Sequence, residues 1–257
     1  MTFKTVRLTL LFSALVFIAL SAYQLKSMQA DWSSTKWVTI YPVNADGSRA
    51  SQTYIDALDD DSFGSIELFF RDEARRYGLT NDTPIIVKLG PQIDSQPPAL
   101  KTDASLLDKI IWNFNLRRWA SVVKERSQGP PADIDILVSY YDPANHKQLA
   151  HSLGVAKMSL ALVNAFSTRR MTETNNVVIA HELLHVVGAT DKYNPYNNFP
   201  NYPEGFAEPD AKPLYPQSKA EIMGGRIPRS PDQAETPKSL KHAVIGEQTA
   251  REINWIN

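Results

Sequence analysis

The sequence predicts an α+β fold in which helices pack on a mixed β-sheet. Four short runs of β-branched or aromatic residues, each bounded by Pro, Asp, Asn or Gly, are typical of strands: 37–43, 84–89, 134–141 and 155–163. Three other segments repeat apolar residues at helical spacing: 63–78, 105–126 and 172–188. The alternation of strands and helices along the chain favours a mixed sheet with helices packed on it.

The first two helical segments carry the signals that begin and end helices. The first follows an acidic run at residues 59–62 and ends at Gly78, and the second follows Asp103. Residues 44–60 and 90–103 lie between the predicted elements, and we expect both to be surface loops.

The composition is that of a globular chain with no preference for nucleic acid. It has 257 residues, of which 43% are hydrophobic and 21% charged, and its formal net charge is -1. A near-zero charge gives no electrostatic reason to bind a phosphate backbone, which favours a concentrated basic surface. The sequence has no cysteine. Any metal site must therefore use His, Asp or Glu rather than thiolates.

The N-terminus predicts a membrane-targeting segment. Lys4 and Arg7 precede an uncharged apolar run at residues 8–23. This run falls between the core of a signal peptide, about 7 to 15 residues, and a membrane-spanning helix, about 17 to 25 residues. Extension of the run over residues 8–25 gives a marginal membrane anchor. In either case the basic flank stays inside and the rest of the chain faces outwards.

Two regions follow from this pattern. Residues 1–30 are predicted to be a signal peptide or signal anchor, and residues 31–257 are predicted to form one extracytoplasmic domain, secreted, periplasmic or anchored. The sequence contains no internal repeat, and neither predicted loop marks a domain boundary.

The stretch HELLHVVGATD, residues 181–191, has the spacing of a metal site on a helix. His181 and His185 are one helical turn apart, so both side chains can reach one zinc ion at about 2.0 to 2.1 Å. Glu182 is rotated by about 100° from His181 and can act beside the metal as a base. Gly188 is suited to the left-handed conformation that ends a helix.

The third ligand is the open question. A sharp turn at Gly188 can bring Asp191 back to the metal, although an aspartate here can also simply stabilise a turn. The other candidates are His242 and, in a proline-rich loop, Glu204 and Glu208. Oxygen-bearing residues at 191–201 could bind calcium, but they lack the spacing of a calcium loop. Two further histidines show no metal-ligand pattern: His146 and His151.

HELLHVVGATD resembles the extended zinc signature of the metzincin metalloproteases, in which a snapalysin-type minority has Asp as the last ligand. EIMGG, residues 221–225, resembles the metzincin Met-turn with Met223 beneath the metal. The resemblance implies a twisted mixed sheet, two helices before the zinc helix, and one helix after the Met-turn, for which residues 239–256 are the candidate. Asp191 departs from the commoner third histidine. Gly225 stands where some metzincins carry a metal-binding tyrosine.

The resemblance implies a zinc-dependent endopeptidase with protein or peptide substrates. It assigns one Zn²⁺ to His181, His185 and Asp191, with Glu182 as general base. Gly188 and Met223 would be structural. The strand at 155–163 resembles the edge strand that aligns an extended substrate. The alternative is a non-catalytic, membrane-tethered zinc-binding domain. Glu182 favours the enzyme, because a purely structural zinc site needs no base.

Overall fold

A five-stranded mixed sheet lies at the centre of the molecule. The computed structural model describes residues 3–29, 31–100, 104–127 and 131–257. The strands are β1 Lys36–Asn44, β2 Ile85–Leu89, β3 Ile134–Tyr141, β4 Leu153–Val155 and β5 Leu160–Phe166. Their spatial order is β2-β1-β3-β5-β4, with β4 antiparallel to β5 and the other neighbours parallel. The predicted α+β class and mixed sheet are thereby confirmed.

The described part of the chain contains six α-helices. They are α1 Phe3–Gln29, α2 Arg49–Ile55, α3 Gly64–Arg76, α4 Leu106–Ser127, α5 Thr172–Val186 and α6 Glu247–Glu252. Helices α3, α4 and α5 match the predicted helical segments. None of the helices, over the part of the chain that the structure describes, combines the length and the apolar content that crossing a membrane requires.

The sheet is buried on both faces. Val38 and Ile40 of β1 belong to the main core, which also contains the inner faces of α3 and α5. Tyr41 and Val43 point to the opposite face, where they join a second cluster that includes Leu116 of α4. Successive side chains of a strand point to opposite faces. The nearly continuous apolar run of β1 is therefore the result of helices on both sides.

The predicted strand at 155–163 is wrong in its bounds and in its position at the edge. Val155 ends β4, and a 3-10 turn, Ala156–Met158, separates it from β5. Ser159 has a φ of 49°, a left-handed conformation that reverses the extended backbone. The result is a hairpin in which β5 is internal and β4 is the edge strand.

The single C-terminal helix predicted for residues 239–256 is also corrected. The segment begins with a 3-10 turn, Leu240–His242, continues as a two-residue strand, Ala243–Val244, and becomes helical only in α6. Gly246 is extended, with φ -69° and ψ 165°, and the helix begins after it. The β-branched residues before this glycine extend rather than coil, and Val244 pairs with Glu221.

One smaller difference concerns a predicted loop. Residues 44–60 contain α2, which the Ser48 side chain caps by accepting a hydrogen bond from the Ser51 backbone N–H at 3.1 Å. The predicted start at Asp103 lies outside the described residues, and α4 is first described from Leu106.

Candidate metal centre

Helix α5 carries two histidines whose Nε2 atoms both face the same point. The Nδ1 atom of His181 lies 2.9 Å from the carbonyl oxygen of Ile222, and Nδ1 of His185 lies 2.9 Å from the carbonyl oxygen of Ala189. A carbonyl oxygen only accepts, so each Nδ1 carries the proton and donates it. In the neutral imidazoles Nε2 is then left with a free lone pair, the form in which histidine binds metals.

Asp191 completes the cluster. Its Oδ1 atom is 3.2 Å from Nε2 of His181 and 3.1 Å from Nε2 of His185. The potential ligand atoms of the three residues lie within 4.8 Å of one another, and this group can hold a metal ion. Burial alone would raise the pKa of the Asp191 carboxyl, but the interaction with the imidazoles of His181 and His185 in their protonated form lowers it, and the net shift is downward. The group is therefore an anion next to two imidazoles.

The turn that carries Asp191 depends on a glycine. Gly188 follows α5 with a φ of 114°, where residues with a side chain are strained. A Cβ atom at this position would also lie 3.3 Å from the carbonyl oxygen of Glu252. Gly188 thus lets the chain leave the helix and return Asp191 to the histidines.

Glu252 of α6 holds the same turn in place. Its carboxylate accepts hydrogen bonds from the Thr190 backbone N–H at 2.8 Å and from the Thr190 hydroxyl at 2.9 Å. Lys192 donates to Glu252 at 2.7 Å, and the Lys192 side chain is only 5% exposed. The residues on both sides of Asp191 are therefore fixed to the C-terminal helix. No local sequence pattern indicates this contact, because it joins residues 62 positions apart.

Met223 lies in a tight turn beside the histidines. The turn is a 3-10 helix, Ile222–Gly224, in which Met223 is fully buried. The carbonyl oxygen of Ile222 holds His181, and the carbonyl oxygen of Met223 accepts from the Lys192 backbone N–H at 2.9 Å. Two consecutive carbonyls thus connect this turn to the first histidine and to the residue after Asp191.

The buried side chain of Glu221 holds the methionine turn through hydrogen bonds. Glu221 is fully buried, and its Oε2 atom accepts from the Gly224 backbone N–H at 2.8 Å. Its Oε1 atom accepts from the Gly246 backbone N–H and from the Thr249 hydroxyl. Burial raises the pKa of Glu221, while these hydrogen bonds act in the opposite direction. Glu221 therefore joins the methionine turn to α6.

Glu182 is a buried acid whose carboxylate is only partly engaged in hydrogen bonds. Its side chain is 5% exposed, and Oε2 has no hydrogen-bond partner among the described residues. Burial raises its pKa, although the two histidines and a hydrogen bond from the Gly154 backbone lower it. A buried oxygen without a partner is costly in a folded protein and requires an explanation.

Two cavities flank the cluster. One, of about 310 Å³, is lined by His181, Glu182 and the methionine turn. The other, of about 400 Å³, lies between the end of α5 and β4. Tyr193 lines both, with its ring centroid 6.4 Å from that of His181. Burial and the neighbouring Asp191 carboxylate raise the pKa of Tyr193 to about 12, so the phenol keeps its proton at neutral pH.

Strand β4 packs directly on the helix that carries the histidines. A Cβ atom at Gly154 would lie 2.5 Å from Cβ of His185 and 2.8 Å from the carbonyl oxygen of Glu182. Real Cβ atoms do not approach so closely, so only glycine fits here. The open edge of the sheet therefore runs beside the cluster of His181, His185 and Asp191.

The other candidate ligands lie elsewhere. His242 is exposed and its Nδ1 atom lies 3.1 Å from the Ser239 hydroxyl. Glu208 accepts hydrogen bonds from the backbone and hydroxyl of Ser218, while Glu204 is exposed. His146 faces Asp46 at 3.8 Å. In the described part of the chain, the only residues grouped for metal binding are His181, His185 and Asp191.

No protein-family model matches the chain, and no curated protein matches it. Among solved structures, a chain described as "Structure of a chaperone-substrate complex" is similar, with a TM-score of 0.44 and 14% sequence identity. The similarity covers 87% of this chain and 34% of that chain, so this chain spans about a third of the neighbour's length. A similarity of this size decides neither the fold family nor the function.

Proposed function

We propose that the protein is a zinc-dependent endopeptidase of metzincin type that acts outside the cytoplasm. One observation carries the proposal: two imidazole nitrogens and a carboxylate oxygen converge at 3.1 and 3.2 Å beside a buried glutamate oxygen that has no partner in the described structure. A structural metal site needs no such free carboxylate, whereas hydrolysis requires a base next to the metal.

The spacing of the donor atoms fits zinc. Both Nε2 atoms carry lone pairs and the carboxylate oxygen is an acceptor, so the three atoms repel one another unless a cation or a proton lies among them. Atoms bound at about 2.0 to 2.1 Å to a tetrahedral zinc lie about 3.3 Å apart. The two Nε2 to Oδ1 distances, 3.2 and 3.1 Å, are close to that value. Three protein ligands also leave one position open, as in catalytic zinc sites.

The surroundings of the cluster support the metzincin assignment. The buried Met223 lies in a turn hydrogen-bonded to His181, and an antiparallel edge strand, β4, lies next to the histidine helix. The position of Met223 is the one that the resemblance implies, whereas the edge strand is β4 rather than the predicted strand at 155–163. The short α6 and the extra helix α2 depart from the expected plan of two helices before the zinc helix and one long helix after it.

Each residue near the metal would have its own role in the reaction. When bound, zinc supplies Lewis acidity toward a peptide carbonyl and toward a water molecule. Glu182 accepts the proton that the attacking water loses and returns it to the departing amine. Tyr193, which keeps its proton, can donate a hydrogen bond to the carbonyl oxygen of a substrate in the cavity. His181 and His185 stay oriented because backbone carbonyls hold their Nδ1 atoms.

The substrate would be an extended peptide. Strand β4 is at the edge of the sheet and lines the cavity that contains His185 and Asp191. An extended peptide can add to such an edge through backbone hydrogen bonds, with alternate side chains entering pockets. The N-terminal apolar segment supports the extracytoplasmic location, either as a signal peptide or as an anchor over residues 8–25.

Metal analysis combined with peptidase assays tests the proposal. The purified chain should contain about one zinc and should cleave a peptide library, and removal of the metal by a chelator should abolish cleavage. Zinc binding without cleavage of any peptide would favour the alternative, a non-catalytic zinc-binding domain tethered to a membrane. A protein that binds no stoichiometric metal would overturn both.

A further inference from the structure

The cavity beside His181 contains one cation for which the structure shows no partner. Arg226 follows the methionine turn directly and lines this cavity of about 310 Å³. Its side chain is half-buried, yet among the described residues its guanidinium takes part in no hydrogen bond or ion pair. A guanidinium presents five N–H donors, and one that is partly removed from water is stabilised by an anionic acceptor.

The acidic groups near Arg226 in the sequence are already engaged. Glu235 pairs with Arg229 at 3.0 Å, and Asp232 accepts from the Ser230 hydroxyl at 2.6 Å. Asp232 and Arg226 line a neighbouring cavity together, but no ion pair joins them. Arg226 therefore has no internal counter-ion and is available to a ligand.

The charges around the cavity leave the Arg226 cation uncompensated. With a divalent metal in the cluster, the two positive charges are offset by one negative charge each on Asp191 and Glu182. The positive charge of the Arg226 guanidinium then remains uncompensated on the described wall of the cavity. The rest of the wall is mainly apolar or neutral and includes Val177, Val178 and Ile222. A bound group that combines an aliphatic stem with a negative tip matches this lining.

We propose that Arg226 is a specificity-determining residue that selects peptides placing a carboxylate in the cavity beside His181. This inference rests on the proposed peptidase function, because it assigns the cavity to the residue next to the scissile bond. The carboxylate can come from a Glu or Asp side chain or from the C-terminus of the peptide. Arg226 would bind this carboxylate through a bidentate pair of charge-assisted hydrogen bonds.

Binding to a catalytically disabled protein tests this directly. Fluorescein-labelled short peptides, with one Glu scanned along an Ala-Ser background and an amidated end, are titrated against zinc-loaded full chain carrying Glu182→Gln. Each is compared with its Gln counterpart, which has the same shape without charge. At one position the Glu peptide should bind about ten- to a hundredfold more tightly. Adding Arg226→Gln should bring the ratio of the affinities for the Glu peptide and its Gln counterpart to about one. Arg226→Lys should retain part of the preference for the Glu peptide.

The matched control is Arg229→Gln in the same background. Arg229 is three residues away but is already paired with Glu235 and the carbonyl oxygen of Gln217. Its loss should leave the Glu-to-Gln ratio unchanged. A second peptide set with free and amidated ends distinguishes the two sources of the carboxylate. If the preference follows the free end rather than the Glu side chain, the C-terminal carboxylate is the group recognised.

The outcomes separate this inference from the proposed function. A ratio near one in the parent protein, or a ratio unaffected by Arg226→Gln, overturns the role of Arg226 even if wild-type protein cleaves peptides. Conversely, Arg226-dependent carboxylate binding without any cleavage by wild-type protein supports the role of Arg226 and contradicts the peptidase proposal.

Discussion

The Nδ1 atom of His181 donates a hydrogen bond to the carbonyl oxygen of Ile222 at 2.9 Å, across 41 residues of sequence. This contact ties the histidine helix to the turn that contains Met223. It also fixes the tautomer of His181, because the donated proton is on Nδ1 and the lone pair is on Nε2. The orientation of the first candidate ligand thus depends on a backbone atom that no sequence motif names.

The first prediction concerns the two histidines. His181→Ala and His185→Ala should each abolish stoichiometric zinc binding, because each removes one of three converging donors. Elemental analysis of the purified variants after dialysis measures the zinc content. His242→Ala, a change at an exposed histidine outside the cluster, should keep the wild-type content. Full zinc retention in both cluster variants would show that the site assignment is wrong.

A second prediction concerns the free carboxylate of Glu182. Glu182→Gln should retain zinc and fold but lose about 10² to 10⁴-fold in peptidase rate, because an amide cannot accept a proton from water. The matched control is Glu204→Gln, at an exposed glutamate of the proline-rich loop. Cleavage rates on one quenched peptide, together with zinc content, measure both effects. Equal activity of wild-type and Glu182→Gln protein would contradict the assignment of the base.

For Asp191 we expect a graded result. Asp191→Ala should weaken zinc binding by more than the roughly hundredfold loss typical of removing a supporting contact around a metal ligand. Asp191→His should preserve a site, with an altered pH profile because the metal centre gains one positive charge. Competition with a chelator of known affinity measures both. Asp232→Ala, at an exposed aspartate, serves as control, and an Asp191→Ala variant with wild-type affinity would show that another residue supplies the third ligand.

Met223 should contribute to stability through packing. The side chain is fully buried. Met223→Ala should therefore lower the free energy of unfolding by about 2 to 5 kcal/mol. Met223→Leu, which conserves volume, should cost less than about 1.5 kcal/mol. Urea unfolding of the zinc-loaded proteins measures the difference, and an alanine variant as stable as the leucine variant would show that the turn tolerates a cavity.

The pH dependence of stability should report on Asp46. Burial acts to raise its pKa, but hydrogen bonds from the Asp142 and Ser48 backbones outweigh it and lower the pKa from 3.8 to about 2. A lowered pKa means that the stabilisation is present above pH 3.8 and is lost as the pH falls through about 2. Asp46→Asn should cost about 2 kcal/mol near neutral pH.

That cost should shrink on acidification, because a protonated Asp46 is as uncharged as asparagine. Urea unfolding of wild type and Asp46→Asn between neutral and acidic pH measures the difference. Asp232→Asn corrects for general effects of charge removal. A difference that stays constant down to the lowest pH would show that the Asp46 carboxylate is not specially stabilised.

The local part of the site could be predicted from the sequence. His181, Glu182 and His185 are placed by the geometry of a single helix, so their spacing alone predicts their relative positions. Asp191 required one further step, the turn at Gly188, which glycine favours. The structure brings His181, His185 and Asp191 together in one group, as the sequence predicts.

The long-range part of the site could not be predicted in this way. Glu252, the Ile222 carbonyl and Arg226 reach the site only through the packing of distant segments, and none has a local pattern that indicates its role. The two incorrect predictions about the fold have a similar cause. Ser159 adopts a left-handed conformation that is rare outside glycine, and the residues before Gly246 pair with a distant strand.

The contact between Thr190 and Glu252 makes the candidate metal site depend on the fold of the whole domain. An isolated helix-turn segment would contain all three candidate ligands and Glu182, yet it would lack the carboxylate that fixes the turn from 62 residues away. Closing so long a loop costs entropy that only cooperative packing of the intervening chain can offset. Metal uptake should therefore coincide with global folding.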